Sequence, residues 1–227
     1  MITSRRNETL KLVRKLAERR WRDKLGLFVA EGEDLVDAAA AAGVEPVELL
    51  VAGENVEPPL LAEVSSAAYP PRVLAVYRRA DLRTEPLPDL GLALWRVGDP
   101  GNVGTLMRSA DAFGAFVALS EGCADPTGPK AVRASAGAIF RVRTCAFADV
   151  PGRRIALDAC AETPLAEHDL TRPVTFVVGA ERRGLPADVL AACDGSASIP
   201  TAAESLNVAA AGAIALYEAS RRGGEPL

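Results

Sequence analysis

The chain has 227 residues, of which 49% are hydrophobic and 25% are charged, an ordinary balance for a globular protein. Its formal net charge is −4, so the total charge gives no indication of nucleic-acid binding. The charge is unevenly distributed, however, because residues 1–30 hold nine basic side chains and only three acidic ones. Such a regional excess says more about partners than the total does.

Cysteine and histidine usage argues against a metal site. Cys123, Cys145, Cys160 and Cys193 are scattered without a C-x-x-C pair, and His168 is the single histidine. No apolar run approaches the ~20 residues that cross a bilayer, and no apolar stretch of about 7–15 residues follows the basic N-terminus as in a signal peptide. We therefore expect a cytoplasmic protein with reduced thiols, no metal and no membrane association.

The first 80 residues alternate between predicted helices and strands. Residues 7–24 are predicted to form one amphipathic helix, because apolar residues recur there at three- and four-residue steps and basic residues occupy the other face. Strands are then predicted at 27–29, 47–51 and 73–77, and helices at 33–42 and 60–67. This pattern predicts a small α/β sandwich with its own core. Residues 81–89, which include Pro86 and Pro88, are predicted to be a linker.

From residue 90 the alternation starts again. Strands are predicted at 92–97, 116–119, 140–142, 155–158, 174–178 and 196–199, and helices at 105–113, 129–137, 186–192 and 209–222. Strands that alternate with helices favour a mostly parallel sheet with helices on both faces. The sequence therefore predicts two domains, residues 1–80 and residues 90–227.

Three loops of the second domain follow predicted strands. The loop at 98–104 has glycines spaced G-x-x-G-x-x-G and leads to Arg108; this spacing matches neither the dinucleotide nor the phosphate-loop motif. The loop at 179–186 is bounded by glycines and carries Glu181, and the loop at 199–207 brings Ser205 and Asn207 to the start of the last helix. Since ligands of α/β proteins bind at the carboxyl ends of the strands, these loops could converge on one pocket.

Each of these features also has a purely structural interpretation. The first two loops could be simple strand-to-helix turns with a solvated Arg108, and Ser205 and Asn207 could be N-capping residues. A further segment, 128–138, places Lys130 and Arg133 among small residues, which suits close approach to a phosphate backbone. A solvated helix face explains that segment equally well.

Taken together, the loops resemble the motifs of a known family. Residues 99–114 resemble motif 1, residues 176–186 motif 2 with its G-x-E-x-x-G core, and residues 199–218 motif 3 of the SpoU/TrmH RNA 2′-O-ribose methyltransferases of the SPOUT superfamily. Residues 130–137 match a family segment as well, and the likeness covers 90–222. Residues 2–4, the basic helix and residues 28–32 are similar to the ribosomal-protein-like substrate-binding domain of thiostrepton-resistance and mitochondrial rRNA methyltransferases.

The resemblance implies an α/β catalytic domain with a trefoil knot, S-adenosylmethionine as the cofactor, and a homodimer with composite active sites. It makes Arg108 the catalytic residue, assisted by Asn102, Ser205 and Asn207. The residues that it assigns to the cofactor fall into two groups. Contacts, mainly through the backbone, are implied for Gly179, Ile199 and Leu206, and Val178, Glu181 and Gly184 are implied to shape the pocket.

Arginine is effectively always protonated, so we hypothesise that Arg108 binds a phosphate and stabilises the developing alkoxide of the ribose. The basic N-terminal helix would attract RNA phosphates without sequence preference, and Arg14, Arg20, Lys130 and Arg133 are the expected RNA contacts.

The expected substrate is rRNA, with tRNA as the alternative; a non-catalytic RNA-binding protein on the same fold is the rival interpretation. A Rossmann-type oxidoreductase is disfavoured because the G-x-G-x-x-G motif is missing. One departure from the family pattern is the short spacer 201–204, which we expect to alter the loop around Ile199.

Overall fold

The computed structural model describes residues 1–180 and 183–222, and the chain groups into two compact units. The first unit comprises residues 1–82 and 125–141, and the second comprises residues 83–124 together with the chain from 142 onward. The segment 125–141, placed in the second domain by the sequence prediction, groups with the first unit, and residues 81–89 are divided between the two units. Residues 82–89 contain no helix or strand, and the domain and linker boundaries stay predictions.

The described part of the chain forms eight α-helices and nine β-strands. The helices are α1 (Glu8–Leu16), α2 (Arg19–Leu25), α3 (Glu33–Ala41), α4 (Pro58–Val64), α5 (Pro100–Ala112), α6 (Pro129–Ser135), α7 (Ala187–Ala191) and α8 (Val208–Arg222). The strands are β1 (Leu27–Glu31), β2 (Glu48–Val51), β3 (Val73–Arg78), β4 (Leu90–Leu94), β5 (Phe116–Leu119), β6 (Thr144–Ala146), β7 (Arg153–Leu157), β8 (Val174–Val178) and β9 (Gly195–Ala197). None of the helices in the described residues is long and apolar enough to cross a membrane.

The first unit is built on an antiparallel sheet of three strands in the order β1-β3-β2. Leu10, Val13 and Leu16 on one face of α1 are buried against apolar residues of this sheet, such as Leu74 and Val76. The three- and four-residue spacing that predicted an amphipathic helix is therefore the spacing that fills this core.

The prediction of a single helix over 7–24 is wrong, because the chain breaks after α1 and restarts as α2. The guanidinium of Arg22 donates to the carbonyl oxygens of Leu16 and Ala17 at 2.8 and 2.9 Å. The last carbonyls of a helix have no partner within the helix, so these bonds stabilise the end of α1. Arg22 is 5% exposed, and the basic face predicted from the sequence thus contains one buried structural arginine.

A buried cluster of charges explains why the segment 125–141 belongs to the first unit. Asp125 Oδ2 accepts hydrogen bonds from Arg22 Nε at 2.8 Å and from Arg79 Nη2 at 2.9 Å. The backbone N–H and the hydroxyl of Thr127 both donate to Asp125 Oδ1. The side chains of Arg22 and Asp125 are only 6% and 9% exposed, so this pair is shielded from water.

Aromatic packing holds the other end of the same segment. The ring of Phe140 lies 4.9 Å from that of Tyr77 and 5.9 Å from that of Phe28, all three being fully buried. The predicted strand at 140–142 is wrong for this reason: residues 138–140 form a 3-10 turn that inserts Phe140 into the core, and the strand is β6. A short apolar run is consistent with a strand and with a buried helical turn, and periodicity alone does not distinguish the two.

The second unit is a parallel sheet of six strands in the order β6-β5-β4-β8-β7-β9, which confirms the predicted parallel α/β fold. All five pairings are parallel, and the central strands β4 and β8 are buried along their full length. Gly212 of α8 packs against Leu106 of α5 and Leu92 of β4, whereas Val189 of α7 packs with Ala93 on the opposite face of that strand. Helices therefore cover both faces, as predicted; the trefoil knot stays a prediction.

The predicted start of α5 is wrong by five residues. The helix begins at Pro100 and not near Thr105, so most of the predicted glycine loop at 98–104 is helical. Asp99 is the N-cap, its carboxylate accepting from the backbone N–H of Asn102 at 3.0 Å, and Pro100 occupies the first helical position. Both are standard helix-start signals that the glycine pattern had outweighed in the sequence interpretation.

The charge cluster gives a stability prediction. Replacing Asp125 by alanine leaves the Arg22 guanidinium buried without its anion, so the free energy of unfolding should fall by about 3–5 kcal/mol near pH 7. The control is Glu18→Ala, which removes an exposed ion pair with Arg20 and should cost less than about 1 kcal/mol. Urea denaturation of both variants measures the difference, and equal effects would contradict the assignment.

The same cluster predicts how that difference depends on pH. Burial raises the pKa of Asp125, but the hydrogen bonds from Thr127 and Arg22 and the charge of Arg79 outweigh burial, so the pKa lies below its ordinary value. Ionised Asp125 therefore adds to the free energy of unfolding at pH values above its unfolded-state pKa of about 3.9. This contribution is lost as the pH falls through the lower pKa of the folded state. The stability gap between the native chain and Asp125→Ala should therefore narrow in acid.

Candidate active site

A cavity of about 480 Å³ opens at the carboxyl edge of the parallel sheet. Its walls come from the ends of β7, β8 and β9 and from the loops that follow these three strands. The lining residues are Leu157, Asp158, Ala159, Val178, Gly179, Ala180, Gly184, Leu185, Ala197, Ile199, Thr201, Ser205, Leu206, Asn207, Val208 and Ala211. Two of the three loops singled out in the sequence therefore converge, as predicted for the carboxyl edge of such a sheet.

The loop after β8 is closed by a very close approach of its own backbone. A Cβ atom on Gly179 would lie 2.3 Å from the carbonyl carbon of Gly184 and 2.7 Å from the backbone nitrogen of Leu185. The backbone N–H of Gly184 donates to the carbonyl oxygen of Ala180 at 2.9 Å, and Gly184 adopts a φ of +59°. Only glycine fits position 179 without moving backbone atoms, which explains one end of the predicted motif. Glu181 lies outside the described residues.

The loop after β9 brings apolar and polar groups to the same cavity. Ile199 and Leu206 line it, and the exposed hydroxyl of Ser205 forms no hydrogen bond with any residue that the structure describes. Within the short spacer, the backbone N–H of Ala203 donates to Thr201 Oγ1 at 3.2 Å and so tightens the turn. The expected disturbance around Ile199 does not remove that residue from the cavity wall.

Asn207 has two contacts that the sequence presented as alternatives. Its side-chain oxygen accepts from the backbone N–H groups of Ala209 at 2.9 Å and Ala210 at 3.3 Å, so Asn207 is the N-cap of α8. Its amide nitrogen donates to Asn102 Oδ1 at 3.2 Å. The N-terminal ends of α5 and α8 are therefore joined beside the cavity, and Asn207 is both a cap and a wall residue.

Arg108 is the one predicted catalytic residue that stands apart from this arrangement. It lies on the exposed side of α5 and is not among the residues that line the cavity. It makes no hydrogen bond or ion pair with residues 1–180 or 183–222. Arg108 follows Asn102 by six residues, which is about 9 Å along a helix axis. A single chain thus brings Asn102, Ser205 and Asn207 together and leaves the guanidinium free for another contact.

Sequence reasoning missed the segment that follows β7. Leu157, Asp158 and Ala159 form one side of the cavity, and the Asp158 carboxylate accepts from the backbone N–H of Cys160 at 3.0 Å. The segment carries no glycine pattern or motif, so the only available signal was its place at the end of a predicted strand. Strand β7 lies between β8 and β9, which is why its end faces the same opening.

The predicted RNA-binding residues lie in the first unit, where they also interact with the protein itself. Arg14 donates to Glu63 at 3.1 Å and to the carbonyl oxygen of Arg5 at 3.0 Å. Arg133 donates to Ser66 Oγ at 2.6 Å and lies 3.9 Å from a carboxylate oxygen of Glu31.

Arg20 and Lys130 are exposed, and Arg20 pairs with the exposed Glu18 and lies over the ring of Trp21. All four remain predictions as RNA contacts.

The lining of the cavity suits a small organic ligand. Its walls are mostly apolar side chains and backbone groups, with a few oriented polar groups, which is typical of cofactor sites. No cluster of three or more potential metal ligands occurs in the described residues. Among the described residues that line the cavity there is no histidine, lysine or arginine.

Comparison with known proteins agrees with this geometry. Residues 89–217 match the SpoU rRNA Methylase family, and residues 7–78 match the MRM3-like substrate binding domain. The first match contains both loops of the cavity as well as α5, and the second contains α1, α2 and the three-stranded sheet.

Two relatives illustrate the extent of the similarity. The chain is 33% identical to an uncharacterised tRNA/rRNA methyltransferase of Synechocystis over 97% of this chain and 93% of the relative. It is 34% identical to a 23S rRNA (uridine(2479)-2′-O)-methyltransferase of Streptomyces viridochromogenes over 73% of this chain and 66% of the relative. The chain spans about half the length of several mycobacterial relatives that are named tRNA/rRNA methyltransferases.

A solved structure extends the similarity to the fold of the whole chain. The AdoMet-bound rRNA methyltransferase of Sinorhizobium meliloti superposes with a TM-score of 0.86 at 27% identity, covering 97% of both chains. The family resemblance found in the sequence motifs is thereby confirmed. This chain belongs to the SpoU rRNA Methylase family.

Proposed function

We propose that the chain is an S-adenosylmethionine-dependent RNA methyltransferase that modifies a ribose 2′-hydroxyl, with rRNA as its substrate. The observation that carries the proposal is the cavity formed by the family's second and third motif loops, closed by the backbone contact of Gly179 with Gly184. Family membership, the AdoMet-bound relative of Sinorhizobium and the rRNA-specific name of the Streptomyces relative support it.

The residues present fit the cofactor. The backbone around Gly179, Gly184 and Leu206 offers amide and carbonyl groups at the cavity wall, while Val178 and Ile199 supply apolar surface. A Cβ on Gly179 would clash with the backbone of Gly184 and Leu185, so this cradle, the loop after β8, requires a residue without a side chain at position 179. The cofactor would supply an activated methyl group; the chain's own part is to hold the cofactor and the ribose in line.

The chain must also help the ribose hydroxyl to lose its proton. A permanently charged guanidinium is a poor base but a good partner for a phosphate and for a developing alkoxide. Arg108 is proposed to bind the phosphate and to stabilise the developing alkoxide. The Ser205 hydroxyl and the Asn207 amide, which is held by Asn102, are proposed to orient the ribose.

A homodimer would complete the site. Since Arg108 does not line the cavity of its own chain, we propose that the partner subunit's Arg108 serves it. Two apolar side chains of α8 are exposed, Ile214 to 39% and Tyr217 to 53%, and they support a contact between subunits on this helix. The proposed knot rests on the family resemblance; α8 follows the 199–207 loop and packs on α5 and β8.

The rRNA substrate is favoured over tRNA by the family description and by the Streptomyces relative. An rRNA substrate also agrees with the cytoplasmic location predicted from the sequence. Mapping 2′-O-methyl groups in rRNA and tRNA from cells with and without the protein tests the substrate. Loss of an rRNA site supports the proposal, loss of a tRNA site favours the alternative, and no change favours a non-catalytic RNA-binding protein.

Gly179→Ala should strongly weaken cofactor binding. The added Cβ would lie within 2.7 Å of three backbone atoms, which have no room to shift without opening the loop. Isothermal titration calorimetry with S-adenosylmethionine should show an affinity loss of about 100-fold or more, which is about 3 kcal/mol. The matched control is Gly195→Ala, whose Cβ would meet only His168 at 3.4 Å, an ordinary contact. Native affinity in Gly179→Ala would refute the proposed cradle.

Arg108→Ala and Arg108→Lys should both lose methyl transfer while keeping cofactor affinity. Removing one preorganised group that stabilises a developing anion costs about 100- to 1,000-fold in rate, and lysine lacks the planar fork of arginine. The assay follows labelled methyl groups into rRNA from cells that lack the protein. Arg221→Ala, which removes an exposed arginine paired with Glu218, is the control and should keep its activity. Near-normal turnover in Arg108→Ala would end the assignment.

The dimer proposal has its own test, in which Gly179→Ala and Arg108→Ala chains are co-expressed with different tags. In a mixed dimer, one cavity would have an intact Gly179 in its own chain and an intact Arg108 from the other. About half the activity of the native dimer should therefore return. If each cavity uses the Arg108 of its own chain, both sites in the mixed dimer stay inactive.

A further inference from the structure

The junction of α1 and α2 carries a cluster of surface side chains around the half-buried Trp21, and the catalytic proposal does not use it. We propose that Trp21, together with Lys15, Arg20 and Lys24, binds an unpaired nucleotide of the substrate RNA, with its base stacked on the indole ring and its phosphates on the cations. This inference rests on the proposed RNA substrate and names the surface of the first unit that would hold it. These four residues are called the Trp21 cluster below.

The Trp21 cluster is defined by its distances. The Nζ atoms of Lys15 and Lys24 lie 5.2 and 5.3 Å from the centre of the indole ring, and the guanidinium carbon of Arg20 lies 5.6 Å from it. The break between α1 and α2 produces this arrangement, because Lys15 comes from the last turn of α1 and the other members come from α2. A continuous helix over 7–24 would not place these residues in the same way.

Charge in the cluster is only partly compensated. Arg20 pairs with the exposed Glu18 at 2.8 Å, whereas Lys15 and Lys24 have no carboxylate partner within the described chain. By contrast, Lys11 on the same helix α1 pairs with Glu8 at 2.7 Å. The cluster therefore holds, beside an aromatic ring, two cations that form no ion pair with the described residues. A negatively charged ligand with a flat ring would complement it.

The position of Trp21 argues against a purely structural role. The side chain is not part of the apolar core of the first unit, which is filled by residues such as Leu10, Leu16 and Leu74. It is half-buried, and Leu25, one turn further along α2, is 40% exposed. Stacking of a base would cover this apolar surface.

The chemistry favours single-stranded RNA over a duplex. A base can stack on an exposed ring only where it is free of its own helix, as in loops and bulges. Base–aromatic stacking outweighs an exposed cation–π contact, so flexible lysine side chains can leave the ring and bind the flanking phosphates. Salt dependence is expected, since every neutralised phosphate releases counterions.

The test uses the full chain carrying Trp95→Phe, which leaves Trp21 as the only tryptophan. A ten-nucleotide oligouridylate should quench the Trp21 emission in a saturable manner, and a duplex RNA of the same length should bind at least about 10-fold more weakly. Polyglutamate, added in place of the RNA, is the control polyanion without rings. If polyglutamate quenches the Trp21 emission as strongly as the oligouridylate does, the partner is an acidic protein and the proposal is overturned.

Variants then separate stacking from charge by anisotropy of a labelled oligouridylate. Trp21→Leu should weaken binding about 10-fold, whereas Trp21→Phe should stay within about threefold of the native chain. Lys24→Ala should lower the slope of log affinity against log salt by about 0.7, and the paired Lys11→Ala should leave it unchanged. Native binding in Trp21→Leu would overturn the proposal.

Cofactor affinity distinguishes this inference from the function on which it rests. Trp21→Leu should bind S-adenosylmethionine as the native chain does, because the cluster lies outside the cavity. Loss of oligouridylate binding with native cofactor affinity supports the Trp21 cluster. If the native chain binds oligouridylate through Trp21 but binds no cofactor, the catalytic proposal fails and the cluster stands.

Discussion

The parallel alignment of the six strands in the second unit is the constraint on which the candidate site depends. Because all strands run in the same direction, the loops that follow β7, β8 and β9 meet at one edge. The second requirement is local, since the loop after β8 forms the cavity wall only while Gly179 lies against the backbone of Gly184. The sheet determines where the site lies, and the glycine contact determines its shape.

One polar contact links this edge to the neighbouring helices. The Asn207 side-chain oxygen caps α8, and its nitrogen donates to Asn102. One side chain therefore stabilises the start of α8 and also links α8 to α5. Arg108 has no such anchor in the described chain. Arg108 is exposed, and it is linked to the cavity only through the dimer proposed above.

The fold and most of the cavity could be predicted from the sequence. Apolar runs bounded by glycine located the central strands, and the spacing of Gly179 and Gly184 reflects a contact that excludes every larger residue. The misses have physical reasons. Periodicity continues across Ala17 and Glu18, so it did not reveal that a buried Arg22 ends α1. The glycines at 101 and 104 concealed the helix start at Pro100. The wall at 157–159 depends on strand order, which local sequence does not encode.

The buried contact of Arg22 and Arg79 with Asp125 has a consequence for the architecture of the chain. The family match begins at residue 89, yet the segment 125–141 inside it contributes to the first unit. The polypeptide therefore passes between the units three times, at 82/83, 124/125 and 141/142. A truncation at residue 82 would remove the Asp125 carboxylate, to which both Arg22 and Arg79 donate hydrogen bonds. The first unit is thus not one continuous stretch of the chain, and residues 1–82 alone lack the carboxylate that Arg22 and Arg79 contact.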